Sequence, residues 1–209
     1  MPAVLARLPL RAVRPADAAE VYAQPRQQLA RLERAGVLHR VANGHYVVVP
    51  QEQVGLAWLP PLEAAAAGVA ASDAGFDQVA VMGISAARLH GVVPRALAAA
   101  VVAVPQQRKR LVVRDRDAVV EFVQRDITRL DVESLSTELG RVLVTTPEQT
   151  VLDLAHRPAL GDAEEEAHAA VRALLPRCDD DQLARLAREQ RLGAALRRVQ
   201  GWVGSGAGA

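Results

Sequence analysis

Pro25-Arg26-Gln27-Gln28-Leu29-Ala30-Arg31-Leu32-Glu33-Arg34-Ala35-Gly36 opens on a proline and closes on a glycine. Val37-Leu38-His39-Arg40-Val41-Ala42-Asn43-Gly44-His45-Tyr46-Val47-Val48-Val49 follows without a break. A proline at the first helical position gives up an N–H that would have no partner there, and a glycine suits the left-handed residue that ends a helix. The first run therefore reads as a helix from Pro25 to Ala35. In the second run, two β-prone segments bracket Asn43-Gly44, the pair best suited to a type I′ hairpin turn with positive φ at both central residues. Upstream, Arg14 to Tyr22 reads as a shorter helix with Pro15 near its start, ended at Gln24-Pro25. Two short helices joined by a tight turn and followed at once by a hairpin have the order of a winged helix-turn-helix.

On a helical wheel Leu29, Leu32 and Gly36 fall on one side of the second helix and Gln27, Arg31 and Arg34 on the other. The apolar side can dock, while the polar side carries the residue types that read bases: arginine pairs bidentately with guanine and glutamine with adenine. Arg26, Gln27, Arg31 and Arg34 are thus the candidate DNA contacts of the helix, and Arg40, Asn43 and His45 those of the wing. A solvated amphipathic helix would show the same wheel, and His39 and His45 also fit ordinary strand-surface positions. The hairpin and the charge distribution favour DNA. Residues 1–50 carry seven arginines against Asp17, Glu20 and Glu33, a net +4, whereas residues 51–209 carry a net −3. A basic head on a mildly acidic body fits a nucleic-acid-binding module joined to something else.

The 209 residues are half apolar and 23% charged, a globular composition, with aromatics at only 3%, so Ala, Val and Leu must build the core. The longest stretch free of Asp, Glu, Lys and Arg runs only from Ala96 to Gln107, too short to span a bilayer. Arg7 and Arg11 interrupt the place where a signal peptide needs its apolar run, and a cytoplasmic location is the expectation. Cys178 stands alone, which excludes an intramolecular disulfide and a cysteine zinc cluster.

Residues 51–78 read as a linker and a connecting helix, and residues 79–209 as an α+β body. Its expected strands are Val79–Met82, Ala98–Val104, Leu111–Val113, Val119–Val123 and Val142–Val144, with a short helix from Ser85 to His90. Thr146-Pro147-Glu148-Gln149 predicts a helix start, Thr146 capping it and Gln149 closing a capping box. Two further helices are expected, Asp162–Leu175 and Asp180 to about Val199, before a small-residue tail from Gly204. Overall the chain reads as a winged helix-turn-helix followed by a larger mixed body that ends in helices.

Chemistry is sparse. Gly83-Ile84-Ser85-Ala86-Ala87 has the outline of a nucleophile elbow, but Ala87 replaces the second glycine and Ser85 reads better as a helix N-cap. His90, His156 and His168 lack metal-ligand spacing, Asp153 reads as a hydrogen-bonding helix residue, and no glycine loop cradles a phosphate. Neither enzyme activity nor a cofactor is expected. Arg108-Lys109-Arg110, with Arg114 and Arg116, forms a basic ridge that is either a solvated loop or a second contact with nucleic acid or an acidic partner. Asp162 and Glu164 to Glu166 open a helix at the end that favours carboxylates.

The order of these motifs resembles the AbiEi-type antitoxins of bacterial type IV toxin–antitoxin systems. The resemblance runs through Tyr46, Gly83-Ile84-Ser85-Ala86-Ala87-Arg88-Leu89-His90-Gly91, Pro94, Val104-Pro105, and Val144-Thr145-Thr146-Pro147-Glu148-Gln149-Thr150-Val151-Leu152-Asp153-Leu154-Ala155. It implies two roles: an autorepressor that binds operator DNA of its own operon through the winged helix, and a body that counteracts a nucleotidyltransferase-like toxin, with or without touching it. A stand-alone ligand-responsive repressor is the alternative. Endonuclease-fused relatives need an acidic residue two positions before a catalytic lysine. The single lysine, Lys109, has Gln107 there.

Overall fold

A computed structural model describes residues 3–204. The head begins with α1 (Ala3–Ala6), a 3-10 turn at Pro9–Arg11 and β1 (Ala12–Val13). It continues with α2 (Pro15–Ala19), α3 (Pro25–Arg34), β2 (Leu38–Ala42) and β3 (His45–Val48). The strands form an antiparallel sheet in the order β1-β3-β2. Leu29 of α3 is fully buried against Leu5, Val13, Ala18, Leu38, Tyr46 and Val48. The proline–glycine boundaries of α3 hold: Gly36 has φ +69°, and Val37 N–H reaches back to the Leu32 carbonyl.

The hairpin turn differs from expectation. Only Gly44 has positive φ, so the turn is not type I′. Arg40 pairs with Tyr46 and Ala42 with His45, which leaves Val41 as an extra residue, a bulge. Val41 is turned away from the head's own core into that of the body.

The body starts with α4 (Leu62–Ala74) and then β4 (Ala80–Val81), α5 (Gly83–Leu89), β5 (Ala99–Val104), β6 (Leu111–Val112) and β7 (Val119–Gln124). A β-hairpin follows, β8 (Val132–Thr137) and β9 (Gly140–Thr145). Four helices close the chain: α6 (Pro147–His156), α7 (Glu164–Leu174), α8 (Asp180–Glu189) and α9 (Gly193–Gly204). Six strands make one mixed sheet, β6-β7-β5-β4-β9-β8, in which β5/β7 and β4/β9 run parallel. Helix α4 covers one face and α5 to α9 the other. That is why β5 reads as an unbroken apolar run: Val101 and Ala103 face the helical layer, Ala100, Val102 and Val104 face α4, and all are buried. The fold is α+β.

Several local expectations change. Ser85 is not the N-cap of α5, a position held by Met82; the buried Ser85 hydroxyl instead accepts the Val101 N–H at 2.8 Å. Thr146 caps α6 as expected, but Gln149 does not close a capping box, because its amide oxygen accepts from Asp131 N–H. The helix expected from Asp180 to Val199 is two helices, broken where Arg191 takes φ +58° and Leu192 N–H bonds the Ala187 carbonyl. Strand β8 was not anticipated. Of the expected tail, residues 205–209 lie outside the described part of the chain.

Head and body share packing. Leu10, Val41 and Val47 of the head join the core around α4. The approach is close enough that a Cβ on Gly68 would lie 3.1 Å from the Ala12 Cβ.

Candidate nucleic-acid interface

Helix α3 leaves Arg26, Gln27, Arg31 and Arg34 exposed, the last three on the side away from Leu29. Arg34 folds back lightly, its Nε donating to the Ala30 carbonyl at 3.3 Å. At the hairpin tip the exposed Asn43 gathers two cations: its Oδ1 accepts from Arg40 at 3.1 Å and from Arg114 at 3.2 Å. Arg40 also lies 5.8 Å from the Tyr46 ring centroid. Arg114 reaches this place because its backbone N–H bonds the carbonyl of the bulged Val41. One member of the basic ridge therefore stands beside the hairpin, although 71 residues separate it from Asn43.

Two other candidates turn inward. Asp73, near the end of α4, binds Arg14 at 2.6 Å and Arg108 at 2.6 Å and lies 3.5 Å from His45 Nε2. Burial pushes the Asp73 carboxyl up, but Arg14, Arg108 and His45 outweigh it and hold it below the usual carboxylate range. Arg108 additionally stacks 4.4 Å from the Phe122 centroid. Lys109 and Arg110 remain exposed. Asp73 and Arg14 carried no signal in the sequence, since nothing local relates positions 14, 45, 73 and 108.

A second junction lies at the back of the hairpin. His39 Nε2 is in hydrogen-bond contact with Asp115, which also accepts from Arg116 at 2.8 Å. Burial raises the Asp115 carboxyl, and the bonds from Arg116 and His39 more than offset this. Trp58 meets the His39 ring edge-on at 6.0 Å and donates to Glu138 at 2.6 Å. A groove of about 490 Å³ runs past these groups, bounded by Glu33 of α3 and Gly36 just beyond it, by His39 and Arg40, and by Leu56 and Trp58.

Three titratable groups within the body are held in its interior. Glu63 is buried and accepts from Arg88 Nε at 2.6 Å. The Cys178 thiol is pushed up to about 12 by burial and by Glu148, far from a reactive thiolate. Burial raises Asp153 to about 6, against the pull of Arg125 and Gln149. Among the described residues no group of His, Cys, Asp and Glu could hold a metal, and no helix is long and apolar enough to cross a membrane.

The profile of the AbiEi antitoxin C-terminal domain matches residues 79–201, well over half of the chain. The chain belongs to that family. The matched segment begins just before β4 and ends within α9, so it takes in the whole six-stranded sheet and the helical layer. The AbiEi chain also shares its fold with the crystal structure of the RV2827C protein from Mycobacterium tuberculosis. The two superpose with a TM-score of 0.60 at 18% identity over 99% of this chain and 78% of the other. No curated protein matches the chain.

Proposed function

We propose that this AbiEi chain is the antitoxin of a type IV toxin–antitoxin system. In this reading residues 1–50 form a winged helix that binds the operator of its own operon, residues 51–78 connect, and residues 79–209 counteract a nucleotidyltransferase-like toxin. The observation that carries it is the antitoxin-family match over 79–201, joined to a head whose α3 leaves four polar side chains exposed. Arg26, Gln27, Arg31 and Arg34 enter the major groove, and Arg40, Asn43 and Arg114 meet the backbone beside it. Lys109 and Arg110 extend that contact, while His45 and Arg108 serve the junction at Asp73. No catalysis is assigned to the chain: Ser85 is occupied by the Val101 N–H and Asp153 is buried.

Two measurements test the reading. Co-expression of the full chain with the toxin encoded next door should restore growth. Binding to DNA upstream of the operon should weaken in Arg31→Ala and Arg34→Ala by roughly 1–3 kcal/mol of sequence discrimination. Wild-type affinity and selectivity in both variants would remove α3 as the reader. The groove beside His39 and Trp58 favours a second reading, a repressor that answers a small ligand. Failure to restore growth, with operator binding intact, would select it.

A further inference from the structure

A cleft of about 390 Å³ opens where β7 ends, on the far edge of the helical layer. Arg125, Asp126 and Arg129 form one wall and His156, Gln190 and Arg191 the other. One of its cations, Arg125, is set in place from within. Arg125 donates Nη2 to Gln190 Oε1 at 3.0 Å and lies 3.6 Å from Asp153 Oδ1. Gln190 is fixed in turn, donating Nε2 to the Arg129 carbonyl at 3.1 Å and to the amide oxygen of the buried Gln149. Gln190 therefore holds the Arg125 guanidinium and the backbone at Arg129, whose side chain is exposed.

Arg191 gives a second, independent observation. It occupies the left-handed position that ends α8, at φ +58°, where glycine is the ordinary residue because a side chain is strained there. This chain places an exposed arginine there, and it lines the cleft. Strain of this kind gathers at functional sites. The local potential is positive: burial lowers His156, and Arg125, Arg157 and Arg198 lower it further. Of the two carboxylates nearby, Asp126 is engaged by the Thr128 N–H and hydroxyl, and Asp153 lies behind Arg125 in the core.

We propose that this cleft binds a phosphate group carried by a small ligand. Guanidinium forks match phosphate oxygens in charge and geometry, and three of them line a space that holds one such group with a modest substituent. Leu192 offers an apolar edge for that substituent. The site is separate from the DNA and antitoxin readings and stands without them.

Calorimetric titration of the full chain with inorganic phosphate, pyrophosphate and adenosine monophosphate, at fixed ionic strength, tests it. Saturable one-to-one binding is expected, weakened about tenfold in Arg191→Gly and in Arg129→Ala. Arg172→Ala, an exposed charge on α7, should leave it unchanged. Glycine suits the backbone at 191, so that variant keeps the fold, which its unfolding temperature will verify. Tighter binding of the nucleotide identifies an organic carrier, and equal binding of all three identifies a free oxyanion; both support the site. Absence of saturable binding, or an equal loss in Arg172→Ala, overturns it.

Discussion

The backbone N–H of Arg114 donates to the carbonyl of Val41 at 2.9 Å, so a residue of the body holds the bulge in the head's hairpin. The same arginine then shares Asn43 with Arg40. Its neighbour in the ridge, Arg108, is bound to Asp73 and stacked on Phe122. The two arginines should part company on substitution. Arg114→Ala is expected to weaken binding to all DNA sequences alike and to flatten the salt dependence by about one unit of slope. Arg108→Ala should leave the slope unchanged and lower the unfolding temperature. Filter binding across a salt series, with a thermal melt of each variant, checks both halves.

Among the described glycines Gly161 is the tightest. A Cβ there would lie 2.9 Å from Ile84 Cγ2 and 3.2 Å from Val101 Cγ2, on a backbone with φ +85°. Gly161→Ala therefore combines overpacking of about 1–3 kcal/mol with left-handed strain of about 1–2 kcal/mol. Urea unfolding should show a loss of several kcal/mol. Near-wild-type stability would mean that Ile84 and Val101 can retreat.

Ser85→Ala should destabilise by about 1–3 kcal/mol, because the buried Val101 N–H loses its acceptor at 2.8 Å. DNA binding at 25 °C should be unaffected. Ser85→Thr or Ser85→Cys restoring stability would identify the acceptor role, and a loss of DNA binding without loss of stability would contradict it.

Asp153 sets a pH dependence. Burial raises its folded value to about 6, above that of the unfolded chain, so the native state holds the proton more firmly. Stability from this group is complete below the unfolded value and is lost as pH rises through about 6. Asp153→Asn cannot ionise and escapes that loss, though it leaves Arg125 less well paired. Relative to wild type, the variant should gain stability between pH 5 and pH 8. A difference that stays constant across that range would show that Asp153 does not titrate there.

Much of the architecture was legible because it is local. Pro25 and Gly36 bound α3, continuous apolar runs marked β5 and β9, and a β-prone run broken only by Glu121 marked β7. What escaped was non-local or ambiguous. Strand β8, Val132-Glu133-Ser134-Leu135-Ser136-Thr137, is a polar edge strand, visible only once β9 gives it a partner. The break at Arg191 was hidden because arginine is a good helix former and the nearby glycine, Gly193, stands two residues past the left-handed position. Of the candidate interface, the exposed face of α3 follows from helical period alone. The union of Asn43 with Arg114, and the capture of His45 and Arg108 by Asp73, depend on contacts between distant segments that no periodicity encodes.

Helix α4 is buried along ten successive residues, Leu62 to Ala71, an unusual state for a helix in a protein of this size. One side belongs to the sheet and the other to Leu10, Ala12 and Val47 of the head. A chain cut near residue 50 would wet that second side, and with it a stripe of alanine and valine seeking any apolar cover. The head is thus one wall of a common core, and a chain without Leu10 and the small residue at 12 would leave α4 covered on one side only.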